Sequence, residues 1–338
     1  SSSSSSSSSA AAAWTPAGPL VLDEWQLALS ALFTFAFQMS FWLVACTCQF
    51  DKVTDLAYSV NFMLLAVLTL CLANAYPLRA IVIAAAVVVW GVRLATYLFV
   101  RILKMGTDKR FDGIRESKFS FFVFWLLQFF VVWVSFLPAL FALRCRSRYA
   151  PCNPPLAWND VLGLVMFVVG FACEVWADQS KFRYRNNPAN SDHWCDAGLW
   201  KWSRHPNFFG EIVLQWGIFV AAASAFDQPW MWVSLVGPGF LTFSILFLSG
   251  ITRLEASADK RYARRAEYQA YKRQTSVLVP LPPVVYRNLP RIGVVLCCCE
   301  WPLYNKGPQS TVRAPPRPLE RFCVRTHFST GSRARARA

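Results

Sequence analysis

Residues 174–211 read EVWADQSKFRYRNNPANSDHWCDAGLWKWSRHPNFFGE, the densest gathering of ionisable, aromatic and turn-forming residues in an otherwise apolar chain. Long hydrophobic runs flank it on both sides. Glu174, Asp178, Lys181 and Arg185 follow one another at offsets of four, three and four, so a continuing helix would present all of them on one face. Two acids then stack one turn apart, followed by two bases one turn apart. Like charges at that spacing repel mildly, and the pattern makes better sense with an outside partner. A ligand with hydroxyls or amides at one end and phosphates at the other suits it. Asn186-Asn187-Pro188 is expected to break the helix. The second part, from Gly198 through Trp200, Ser203, Arg204, His205 and Pro206 to Asn207, reads as a turn-rich loop opening a new apolar helix. Asn207 or Ser203 is expected to cap that helix, leaving backbone N–H groups and the positive dipole end beside Arg204 and His205. That is an anion site. The plainer account is a basic loop anchored at lipid headgroups by tryptophans, and spacing alone does not choose between the two.

Working outward, 55% of the residues are hydrophobic and 16% aromatic, against 16% charged. A soluble domain of this length needs more charged surface, so the composition points to a membrane protein. The fold expected is all-α and polytopic, with about seven transmembrane helices. The spans read as 25–46, 57–76, 78–102, 119–143, 158–178, 208–226 and 230–251. The loops 47–56, 103–118 and 179–207, the segment 252–273 and Arg101 carry about 19 lysines and arginines on one side. The other side holds Arg79, Arg144, Arg146 and Arg148. An outside or lumenal N-terminus and a cytosolic C-terminus follow, with the 174–211 cluster at the cytosolic face. The net charge of +15 therefore reflects topology and attraction to anionic lipid. It does not indicate nucleic acid, because no nucleic-acid-binding motif accompanies it.

Polar residues inside spans are costly and often functional; here they are Gln38, Asn61, Arg93, Tyr97, Gln128, Glu174, Glu211 and Gln215. Arg93 is expected to pair with Glu174 or Glu211 rather than to snorkel. Asp51, Lys52 and Asp55 read equally as helix-capping or site residues. His193-x-Cys195 lacks two further well-spaced ligands, so no metal site is expected. Residues 254–273 read as one amphipathic basic helix, in which Glu255, Asp259 and Tyr262 form a second polar stripe. Residues 1–24 form a Ser/Ala-rich low-complexity tail, 25–285 the membrane domain, and 286–338 a tail expected to be disordered.

GLWKWSRHPNFFGE, with DQSKFRYRNNP upstream and RLEASADKRY downstream, resembles the C-terminal part of the steroid 5-alpha-reductase-like membrane proteins. It is most similar to the subfamily of unknown substrate with a steroid-reductase C-terminal domain. FDKVTDLAYSVNF and VVVWGVRLATYLFVRIL extend the likeness, so it covers roughly 38–283. The motif is shared with isoprenylcysteine and phospholipid methyltransferases.

The resemblance implies an endoplasmic-reticulum reductase using NADPH, with a cytosolic cofactor-capping loop and C-terminal helix. Asp178, Arg185 and Asn207 reproduce roughly the family's cofactor-binding spacing. Glu174 stands where the family has Asn, and Tyr262 matches a contact in the last loop. Residues 179–283 thus carry most of the cofactor motifs. With the two polar stripes, the proposed cofactor set is Glu174, Asp178, Lys181, Arg185, Trp200, Ser203, Arg204, His205, Asn207, Glu211, Glu255, Asp259 and Tyr262. For catalysis the family's early-span Glu–Tyr pair has no clear match, and Tyr97 with Arg93 or Asn61 stands in. The expected reaction is hydride transfer to a conjugated C=C of a sterol-like or long-chain enone, a lipid-soluble substrate drawn from the bilayer. The alternatives are an S-adenosylmethionine-dependent lipid methyltransferase and a non-catalytic lipid-binding protein. Oligomeric state is open.

Overall fold

The computed structural model describes residues 26–48, 54–73, 76–105, 117–143, 155–248 and 250–304. Among these the secondary structure is helical, with one isolated bridge between Ser203 and Ser276. The helices are α1 (Leu27–Cys48), α2 (Thr54–Cys71), α3 (Leu78–Met105), α4 (Lys118–Leu143), α5 (Trp158–Arg185) and α6 (Pro206–Ala223). After them come α7 (Val236–Phe243), α8 (Ile251–Tyr262), α9 (Ala266–Gln274), α10 (Pro283–Asn288) and α11 (Arg291–Cys297). Five stretches are long and apolar enough to cross a membrane: 27–47, 78–101, 118–143, 158–185 and 229–262. The protein is therefore an all-α, multi-pass membrane protein. The remaining two expected spans correspond to α2, whose apolar part is the shorter Leu56–Cys71, and to α6. Asp51, Lys52, Arg144, Arg146, Arg148 and residues 305–338 lie outside the described residues, as does the 1–24 tail, and Asp55 is placed only by its backbone.

α4 is the most deeply buried of the five long stretches. Its Val132, Phe136, Leu140 and Leu143 pack with Phe62, Leu65 and Trp90 from α2 and α3 and Leu214 and Ile218 from α6. Dispersion and aromatic edge contacts hold this core, since lipid supplies no hydrophobic drive between helices. α3 and α5 run parallel. Arg79 clasps Asp160 with two bonds of 2.6 and 2.8 Å at one end, and Arg93 holds Glu174 at 2.6 Å at the other. Fourteen residues separate the two arginines and fourteen the two acids, about 21 Å of helix on each side. α6 returns antiparallel along α5 at backbone-contact distance. A Cβ on Gly170 would lie 2.6 Å from the Gly210 carbonyl oxygen, and one on Gly163 2.5 Å from that of Gly217. Small residues at such a crossing let helices pack closely in a membrane.

Three expectations are corrected. The last span is not one α-helix: a 3-10 segment, Pro229–Leu235, precedes α7, and a π-helical segment, Ser244–Leu248, follows it. Pro238 lacks an N–H, and Gly237 presses against α4, where an added Cβ would sit 2.6 Å from the Val134 carbonyl oxygen. The expected 254–273 helix is two helices, broken after Tyr262. The break lets the rings of Tyr262 and Tyr268 meet Trp194 at 5.8 and 5.1 Å. Residues 286–304 are folded rather than disordered, for reasons that lie in Arg204.

Candidate functional site

α5 extends two turns beyond its apolar part because Lys181, Phe182 and Arg185 continue good helix-forming sequence up to Asn186, as the charge spacing predicts. Glu174 and Asp178 thus share one face with Lys181 and Arg185. Arg93 of α3 reaches both acids: 2.6 Å to Glu174 Oε1, 3.1 Å to the Glu174 carbonyl and 2.7 Å to Asp178 Oδ2. Trp90, one turn earlier, donates its indole N–H to Glu174 Oε2 at 3.2 Å. The expected pairing of Arg93 is met, with Asp178 rather than Glu211 as the second acid. Glu211, on α6, lies close enough to feel the charges of Arg93, Asp178 and Glu174, yet has no hydrogen bond or ion pair among the described residues. Three carboxyl groups therefore surround one guanidinium. Burying such a cluster is tolerable only while Arg93 is present; removing one partner of a buried pair costs about 3–5 kcal/mol.

Tyr97 lies one turn beyond Arg93, with the guanidinium 5.4 Å and that of Arg101 5.9 Å from its ring centre. Tyr97 and Arg93 are thus brought together. Asn61 stands apart on α2. Its side-chain oxygen and nitrogen are buried without a hydrogen-bond partner among the described residues, as is Gln215 Nε2 on α6. Sequence reasoning did not pick out Tyr58, three residues before Asn61, whose ring meets those of Phe62 and Trp90 at 5.2 and 6.4 Å. It also feels the charges of Glu211 and Glu174. A polar aromatic in an apolar run was the available signal.

The loop after α5 turns at Gly198, whose φ of +57° is the left-handed region that favours glycine. Trp200 donates its indole N–H to the Ala177 carbonyl at 2.8 Å and carries the Lys181 ammonium over its ring at 4.0 Å. Arg185 is exposed. The capping expectation at the next helix is corrected. Pro206 occupies the first helical position, where its missing N–H costs nothing, so His205 is the N-cap and makes no side-chain cap bond. Asn207 falls inside the first turn. Ser203 instead accepts the His205 N–H at 3.1 Å and donates to the Leu278 carbonyl at 2.7 Å.

Arg204, His205, Glu255 and Asp259 come together in a second cluster. Glu255 Oε1 lies 3.3 Å from Arg204 Nε and 2.8 Å from His205 Nε2, while Lys272 Nζ is 3.1 Å from Glu255 Oε2 and 2.8 Å from Asp259. Arg204 also donates to the Lys272 carbonyl at 3.1 Å and to Glu300 at 3.0 Å. Tyr286 donates to the other Glu300 oxygen at 3.0 Å. Burial holds the His205 imidazole below its ordinary pKa, against the pull of Glu255. A neutral ring that donates Nε2–H to Glu255 leaves Nδ1 bare, and Nδ1 is indeed buried without a partner among the described residues. Tyr262 packs its ring on Trp194. Lys272 and Glu300 were missed in the sequence because neither has a partner within helical reach.

A family model described as "Protein of unknown function (DUF1295)" matches residues 41–275, well over half of the chain. Comparison with curated proteins and with solved structures gives no match.

Proposed function

The chain belongs to the DUF1295 family, which is steroid 5-alpha-reductase-like, and on that premise we propose that it is a membrane-embedded, NADPH-dependent reductase of a conjugated C=C in a lipid-soluble substrate. The observation that carries the reading is the meeting of Arg93 of α3 with Glu174 and Asp178 of α5, near Glu211 of α6, with Lys181 and Arg185 leading outward along α5.

The donor set fits such a cofactor. Glu211, without a direct partner among the described residues, can accept an amide or hydroxyl proton. Lys181, Arg185 and the first free N–H groups of α6 suit phosphates. Arg204 is engaged with Glu255, Glu300 and the Lys272 carbonyl, and His205 through Nε2 with Glu255, so in this proposal they, with Ser203 and Asp259, position the loop. Trp200 holds Lys181 in place, and Tyr262 braces the loop through Trp194.

NADPH supplies a hydride to the electron-poor carbon of the C=C. The chain's part is to bind, orient and keep water out, and to supply the proton. Tyr97, held between Arg93 and Arg101, polarises the substrate carbonyl as charge develops on its oxygen. Asn61 and Gln215 offer further partners: an orphaned buried polar group costs about 1–3 kcal/mol, and a substrate hydroxyl or carbonyl offsets that. A bilayer-facing site selects apolar substrates because only they reach it.

One observation favours a second reading, a lipid methyltransferase using S-adenosylmethionine. Three carboxyl groups around one arginine leave surplus negative charge, which suits a sulfonium and an ammonium group. Titrating the purified protein with NADPH and with S-adenosylmethionine decides. NADPH binding that weakens with salt supports the reductase; S-adenosylmethionine binding without NADPH binding replaces it with the methyltransferase.

A further inference from the structure

The family match ends at residue 275, yet the chain beyond it is built into the molecule. Glu300 closes the Arg204 cluster, and Tyr304 donates to the Leu246 carbonyl at 2.7 Å while its own carbonyl accepts from Lys272 at 3.3 Å. Leu246 belongs to the end of the last apolar stretch, just before the polar helix α8. The segment is therefore pinned at the level where hydrocarbon gives way to headgroups. Trp301 extends that contact. Its ring centre lies 4.7 Å from that of Phe247, and its indole N–H donates to the Val295 carbonyl of α11 at 3.1 Å.

The outer face of this segment is apolar. On α11, Ile292, Val295 and Leu296 are spaced as one helical face, and Ile292 and Leu296 are 73% and 70% exposed. Val284 and Val285 of α10 are exposed as well, while Tyr286 between the two groups turns inward to Glu300. Arg287 and Arg291 are exposed beside the apolar side chains. Phe243 and Leu248, on the stretch that Trp301 and Tyr304 grip, are exposed in the same way. The apolar face of α10 and α11 thus continues the lipid-facing surface of the last membrane stretch through Trp301.

We propose that residues 283–304 form an interfacial anchor: the exposed face of α10 and α11 lies in the membrane surface on the Arg204 side, its apolar side chains among acyl chains and Arg287 and Arg291 at anionic headgroups. A lipid surface fits both halves of the pattern, because amphipathic helices with a basic flank lie at that boundary. The anchor joins the membrane surface to the Arg204 loop through Glu300 and Tyr286. This holds whatever reaction the inner cluster performs.

The full chain in nanodiscs tests the idea, with a photoreactive benzoylphenylalanine at position 292 or 296. Irradiation is expected to yield covalent adducts with phospholipid acyl chains at both positions. Adducts with protein alone, or none, would overturn the proposal in favour of a protein-docking face or a solvated one. A second measurement avoids any change at those sites. Amide exchange across 283–304 is expected to be slower in nanodiscs with about 30% phosphatidylserine than in phosphatidylcholine alone, by roughly fivefold for each arginine engaged. R287Q with R291Q should abolish the difference. Equal exchange in the two lipids for the natural chain would remove the headgroup role of the arginines.

Discussion

Asn207 stands in the first turn of α6, after a proline that has already taken the position where a missing N–H is harmless. Its side chain is free of the capping role that the sequence suggests, which sharpens its use as a probe. Aspartate in a first helical turn favours the dipole, so Asn207→Asp is expected to fold as well as the natural chain. A carboxylate cannot donate, however, and puts charge beside a bound amide. NADPH binding is expected to weaken tenfold or more, about 1.4 kcal/mol, with the melting temperature unchanged. Equal affinity would remove Asn207 from the cofactor site. His205 gives a prediction of the opposite kind, on stability. Burial keeps its folded-state pKa below the ordinary 6.5. The unfolded chain therefore takes up a proton first as pH falls, and the stability present above that value is progressively lost below it. Melting from about pH 7.5 to about pH 5.5 should fall more for the natural protein than for His205→Gln. Parallel curves would mean that His205 titrates alike in both states. At this scale the sequence spoke where periodicity was local. Glu174, Asp178, Lys181 and Arg185 could be placed on one face from spacing, and Arg93 had a charge that demanded a partner. Glu300 gave no such sign, because its partner Arg204 is 96 residues away and nothing in the tail has a period.

Pairs of helices show why element boundaries were less legible than element types. Apolar length announced α1, α3, α4 and α5, and α5 ended at Asn186 as Asn186-Asn187-Pro188 requires. The region after Gln228 was different. Its hydropathy matched a simple span, while Pro238, Gly237 and the contact with α4 divide it into 3-10, α and π segments. Tertiary packing overrides a hydropathy window there, and the polar helix divides after Tyr262, where the tyrosine rings gather on Trp194. The closest packing, between α5 and α6, yields the cleanest test. A Cβ on Gly210 would stand 2.5 Å from the Gly170 carbonyl oxygen and 2.6 Å from the Glu174 amide nitrogen, both backbone atoms that cannot swing away. Gly210→Ala must therefore push α6 off α5 at the level of the acidic cluster. The expected cost is about 1–3 kcal/mol, read as a lower melting temperature. Gly239→Ala is the control, since nothing lies within 4 Å of its added Cβ and alanine suits a helix better than glycine. Equal behaviour of the two variants would mean that the helices are not packed this closely.

For the whole molecule the question is which ends share a side of the membrane. Two ion pairs fix α3 and α5 as parallel, so the chain between them must cross back once, and α4 is long and apolar enough to do so. α6 then runs back along the apolar part of α5, from Cys173 to Asn159. Cys173 donates to the Pro206 carbonyl at 3.4 Å near one end, and Asn159 to the Val220 carbonyl at 3.3 Å near the other. Its 18 residues make about 27 Å of helix, close to the hydrocarbon thickness of a bilayer. We propose that this helix, antiparallel to a span over that depth, is itself a span, although its Glu211 and Gln215 lower its hydropathy. The turn at Asp227 therefore belongs on the face opposite the 186–205 loop. The 229–262 stretch returns the chain to that loop, where Glu255 and Lys272 meet Arg204 and His205. Basic residues crowd the same side, and we propose from the positive-inside rule that this side is cytosolic. Tags inserted near Asp196 and Gln274 are accordingly expected to be accessible from the cytosol, and one near Asp227 only after the membrane is breached. Protease protection in sealed microsomes reads this directly. Cytosolic access at Asp227 would mean that α5 and α6 form a hairpin dipping into the bilayer from one face. The acidic cluster would then sit in a different leaflet environment from the one argued above.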